Sequence, residues 1–151
     1  MTTTKSRVLV IDDDPDIVEV IQLLLEDAGY LVSNINQLPE NANLAQICLQ
    51  AQPDFIILDM LLSGQDGRHL ARHLKENQST NHIPLMMISA HPQARSQALA
   101  AGADDFLAKP LTWTRCSPKS SVIVKLILSR HHDMPEVIIP YLLFWLTITY
   151  T

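Results

Sequence analysis

Five short apolar runs separated by stretches of helical periodicity constrain this chain more than any other feature. The runs are Arg7 to Ile11, Leu31 to Ile35, Phe55 to Leu58, Leu85 to Ile88 and Phe106 to Ala108. Each has the length and near-continuous apolar character of a strand buried on both faces. Between the first two, Asp14 is placed to cap a helix with Pro15 at its first position. Ile17, Ile21, Leu24 and Ala28 then form one apolar stripe before Gly29 ends it. Further helical stretches are predicted over Asn41 to Ala51, Gly67 to Asn77 and Pro92 to Ala101, stopped near Pro53, before Pro84 and by Gly102. Such alternation implies right-handed crossovers and an α/β fold: a doubly wound, five-stranded parallel sheet with helices on both faces. Its functional crevice should lie beyond the carboxyl ends of the strands.

The chain has 151 residues, 47 % of them hydrophobic, enough for one domain with a real core. The apolar run after Lys5 and Arg7 meets Asp12 too soon for a secretory signal, so a cytoplasmic location is expected. Cys48 and Cys116 lie in no metal-ligand spacing and read as reduced thiols. A net charge of −5 offers no basic footprint for direct nucleic-acid contact. Residues 1–110 hold seven Lys/Arg against fourteen Asp/Glu, whereas 111–151 hold four against two, so the chain changes character near Pro110.

The polar residues that follow the apolar runs carry the chemistry. Asp12 and Asp13 end the first run, Asp59 the third, Ser89 the fourth and Lys109 the fifth, so all should converge on one edge of the sheet. Gathered carboxylates raise one another's pKa unless a cation neutralises them, and hard oxygen ligands at an incomplete site favour Mg²⁺. With a lysine and a hydroxyl opposite, a phosphoryl group could be held while a carboxylate attacks phosphorus; Asp59 is the expected nucleophile.

The segments "VIDDDPDI", "IILDMLLSGQDG", "MMISA" and "GADDFLAKP" resemble the receiver domain of two-component response regulators over roughly residues 6–110. The resemblance implies the flavodoxin-like strand order 2-1-3-4-5, with Asp59 as phosphoacceptor. It further implies Asp13 as direct Mg²⁺ ligand, Asp12 helping through water, and Leu61 offering its backbone carbonyl to the metal. Ser89 takes the position of the switching hydroxyl, Lys109 that of the ion-pairing lysine, with a cis bond to Pro110, and Phe106 that of the aromatic switch. Ser63 stands where the family usually has proline, a departure expected to loosen the loop and leave the chemistry untouched. The implied partners are a histidine kinase or phosphotransfer protein and an unknown downstream protein. The chain would accept, and slowly lose, a phosphoryl group on its own aspartate and turn over no external substrate.

Blander roles account for other residues. Asp14 and Asp16 suit a helix N-terminus, where acids are favoured. His69 and His73, flanked by Arg68 and Arg72, read as a solvated face, and His131 and His132 likewise. Two rival functions compete for the acid cluster. A degenerate receiver would bind partners independently of phosphate, and a haloacid-dehalogenase-type phosphohydrolase would use the Asp-x-Asp of Asp12 to Asp14 but leave Asp59 unexplained.

The receiver is expected to span 1–132, with a last helix opening near Ser117 and Pro118, and 133–151 to be an atypical apolar tail. Val137 to Thr151 contains no charged residue. Packing on its own domain, or on a second copy to give a homodimer, is the expected role. A membrane anchor is disfavoured, because the run is short of the ~20 residues needed to span and is broken by Pro140; a frame-shifted terminus is the third reading. The residues after Pro110 must first supply the fifth helix, so an appended DNA-binding domain is not expected.

Overall fold

The computed structural model describes residues 5–91 and 93–109. The last helix, the tail, Cys116, His131, His132 and the bond to Pro110 lie outside the described residues. The elements run β1 (Arg7–Ile11), α1 (Pro15–Asp27), β2 (Leu31–Ile35), α2 (Leu44–Ala51), β3 (Phe55–Asp59), β4 (Leu61–Leu62), β5 (Gln65–Asp66), α3 (Gly67–Glu76), β6 (Leu85–Ser89), α4 (Ala94–Ala100) and β7 (Asp105–Ala108). Five strands form a parallel sheet in the order β2-β1-β3-β6-β7, and β4 and β5 form a separate two-stranded antiparallel ribbon. In chain order the five long strands therefore lie 2-1-3-4-5, the flavodoxin-like arrangement.

Register decides what each face buries. Leu9 is level with Ile56, Ile56 with Leu85, Leu58 with Met87 and Met87 with Phe106. These residues share one face and join a core with Leu44 and Cys48 of α2, Ala71 and Leu74 of α3, and Ala94 and Ala98 of α4. The alternate positions Val10, Ile57 and Ile88 are also buried, so the central strands are covered on both sides. The edge strand β2 departs from that expectation: among the described residues it pairs only with β1, and Leu31 is exposed.

Helix α1 begins as the sequence signals, with the Asp14 side chain accepting hydrogen bonds from the Asp16 and Ile17 backbone N–H groups and Pro15 in the first turn. It ends with the Tyr30 N–H donating to Leu25 O and the Gly29 N–H to Glu26 O, a Schellman closure. Its buried stripe is centred on Val18, Ile21 and Leu25, with Ile17, Leu24 and Ala28 only partly covered, so the expected stripe is rotated slightly. Helix α4 begins at Ala94, later than expected, and Gln93 at its start makes no side-chain cap.

Candidate functional site

The sheet places Asp12, Asp59, Ser89 and Lys109 at or just past the carboxyl ends of β1, β3, β6 and β7. β1 and β3 are adjacent, at the point where strand order reverses; this brings Asp12 and Asp13 beside Asp59, where a doubly wound sheet opens its crevice. Asp12, Asp13 and Asp59 offer carboxylate oxygens that all lie within 4.8 Å of one another. Asp12 is 0 % and Asp59 5 % exposed, whereas Asp13 is half-buried at the rim.

Lys109 reaches back across β6 to this cluster. Its Nζ lies 2.8 Å from Asp12 Oδ2 and 3.2 Å from Asp59 Oδ2, and its backbone N–H donates to Ser89 O at 2.7 Å, which ties the β7 exit to β6. Burial lifts the Asp59 carboxyl above the ordinary carboxylate range and the neighbouring Asp12 charge adds to this, while Lys109 opposes both without cancelling them. Burial pulls the Lys109 ammonium down, but its hydrogen bond to Asp12 and the two facing carboxylates outweigh that, so its pKa stands above the ordinary lysine value.

Backbone groups hold the carboxylates in place. Asp12 Oδ1 accepts from the Asp14 N–H at 2.9 Å, and the Leu61 N–H approaches Asp59 Oδ1 at 3.4 Å. The Ser89 hydroxyl oxygen accepts from the His91 N–H at 3.1 Å. Phe106 is buried, its side chain part of the core shared with α4. His69 and His73 are exposed on α3, as a solvated face requires.

Ser63 corrects the sequence reading. Its backbone N–H donates to Asp13 Oδ2 at 3.0 Å and its hydroxyl contacts the same oxygen, so this position does touch the acid cluster. The Ser63 hydroxyl holds the Asp13 carboxyl below the ordinary range, with burial opposing. Fifty residues separate the partners, so no local pattern reveals the contact; the substitution of the family's usual proline is the one signal that marks the site.

The donor set fits a hard divalent cation. It is all oxygen and anionic, and among the described residues the buried Asp12 Oδ2 has no partner beyond the Lys109 ammonium at 2.8 Å.

The sequence model of the response regulator receiver domain matches residues 8–116. The chain belongs to that family. This receiver domain is 37 % identical over 106 residues to the DNA-binding dual master transcriptional regulator RpaA of Synechocystis, a match covering 69 % of this chain and 43 % of RpaA. It is 37 % identical over 108 residues to the phosphate regulon transcriptional regulatory protein PhoB of Pseudomonas aeruginosa, covering 70 % of this chain and 45 % of PhoB. The chain thus spans less than half the length of these relatives. Among solved structures, a putative response regulator from Chloroflexus aurantiacus superposes with a TM-score of 0.68 at 31 % identity, over 83 % of this chain and 99 % of that chain. Receiver domains are phosphoryl-accepting signalling domains that work with histidine kinases or phosphotransfer proteins, and Mg²⁺ binding through acidic residues is general to them. Among the described residues, no helix is long and apolar enough to cross a membrane.

Proposed function

We propose that this receiver domain accepts a phosphoryl group on Asp59, in the cytoplasm, from a histidine kinase or phosphotransfer protein, and signals by changing its protein contacts. The observation that carries the reading is the placement of Lys109 Nζ within 3.2 Å of Asp59 Oδ2 and 2.8 Å of Asp12 Oδ2, beside three gathered carboxylates. An Asp59 oxygen forms the new P–O bond as the P–N bond of the donor phosphohistidine breaks, and the imidazole nitrogen keeps the bonding pair. Asp12, Asp13, Asp59 and the Leu61 backbone carbonyl would hold Mg²⁺, which supplies charge neutralisation at the phosphoryl oxygens. The Lys109 ammonium balances charge on the opposite side, and the Ser89 hydroxyl is free to exchange its His91 contact for a phosphoryl oxygen.

The receiver unit is taken as 1–132 and 133–151 as an apolar tail, with homodimerisation through the C-terminal region. Switching runs from Ser89 to Phe106, whose phenyl ring lacks a hydroxyl and so responds by changing burial alone. The chain is the acceptor in the transfer and not a turnover enzyme. Incubation with phosphoramidate, a small phosphohistidine analogue, tests this: a phosphoryl adduct that needs Mg²⁺ and is cleaved by hydroxylamine is expected. An adduct that forms equally well without Mg²⁺, or none on folded protein, contradicts it.

A further inference from the structure

The two-residue link between β4 and β5, Ser63-Gly64, reaches back over fifty positions to the carboxylate of Asp13. Gly64 has φ +81° and Ser63 a negative φ, the pattern of a type II turn with serine at its second position. Proline, with its fixed φ, suits that second position. Proline has neither an N–H nor a hydroxyl. Ser63 has both, and both converge on one atom: the N–H lies 3.0 Å from Asp13 Oδ2 and the hydroxyl contacts the same oxygen. Asp13 stands half-buried at the rim, and apart from Ser63 its carboxylate is held by its own backbone N–H and by the charge of Lys109. Two donors from a closed turn pin Asp13 Oδ2 in place beside Asp12 and Asp59.

We propose that Ser63 is a positioning residue for the cation site, replacing the rigidity of a turn proline with a direct two-donor hold on the Asp13 carboxylate. The inference rests on the reading of Asp12, Asp13 and Asp59 as a Mg²⁺ site. Hydrogen-bond partners that orient a ligating carboxylate typically change metal affinity by about 10- to 100-fold when removed. Ser63→Ala removes one of two donors and belongs at the lower end of that range, while Ser63→Pro removes both.

The test is calorimetric titration of the metal-free, full-length protein with Mg²⁺, comparing wild type, Ser63→Ala, Ser63→Pro, Ser63→Thr and Asp13→Asn, with the unfolding midpoint of each metal-free variant as a folding control. Ser63→Ala should bind Mg²⁺ about tenfold more weakly and Ser63→Pro at least as weakly. Ser63→Thr, which keeps both donors, should stay within about twofold of wild type, a rescue that a purely structural role of the turn would not give. Wild-type affinity in Ser63→Ala, or tighter binding because the hydroxyl competes with the cation, overturns the inference while leaving the Mg²⁺ site intact. A wild type that gives no Mg²⁺ isotherm overturns the site reading itself, and this inference with it.

Discussion

Asp59 is held in a state that the metal-free fold disfavours. It is buried, next to another carboxylate, and only partly compensated by Lys109. A carboxyl whose folded-state pKa is raised contributes stability that is fully present below its unfolded value of 3.8 and lost as pH rises through the folded value. Asp59→Asn should therefore stabilise the metal-free protein at pH 7, because it removes one of two adjacent buried carboxylates and leaves Lys109 paired with Asp12. The gain should shrink as pH falls toward 3.8, and denaturant unfolding at several pH values checks it; a gain that grows on acidification would refute the assignment. Asp13 runs the other way: its carboxyl is lowered, so its contribution is present above the unfolded value and fades as pH falls. The two carboxyls belong to one cluster, yet their surroundings push them apart, as the proposed ligand and acceptor roles would require.

Two elements deliver the acid cluster, and each has a residue that can be tested. Helix α1 starts at Pro15, two residues after Asp13, and its Asp14 cap fixes where the chain leaves β1. Asp14→Ala should cost about 1 kcal/mol in unfolding free energy, the usual value of a lost side-chain cap. Helix α3 starts at Gly67, where an added Cβ would meet Asp59 O at 2.1 Å and Met60 Cα at 3.0 Å. Both are backbone atoms at the end of the strand that carries Asp59, so neither can yield cheaply. Gly67→Ala should destabilise by about 3 kcal/mol, the upper range for overpacking, and slow phosphorylation by displacing Asp59; thermal unfolding together with adduct formation over time measures both. The strands and the start of α1 were legible because burial on both faces, a cap and a proline are local signals. The exposure of β2 was not, because an edge is a property of strand order and not of the strand's own residues. The small β4–β5 ribbon was missed for its length, and the late start of α4 because no capping residue marks it. The acid cluster, Ser89 and Lys109 could be placed from strand ends alone, whereas the hold of Ser63 on Asp13 depends on a contact between two separate loops.

At the scale of the molecule, the side chains in the proposed chemistry come from the carboxyl ends of four strands of one parallel sheet, Asp12 and Asp13 sharing the exit of β1. Asp12, Asp59, Ser89 and Lys109 share an edge only because β1, β3, β6 and β7 all run the same way. The sheet fixes the positions, and the loops beyond it supply the orientation. The central claim, that this assembly exists to load a phosphoryl group onto Asp59, is tested most directly by intact-mass spectrometry of wild type and Asp59→Ala after incubation with acetyl phosphate, with and without Mg²⁺. The account predicts the mass gain of a single phosphoryl group in wild type, dependent on Mg²⁺ and absent from Asp59→Ala. An equal gain in the variant, or no gain in folded wild type with Mg²⁺ present, would contradict it.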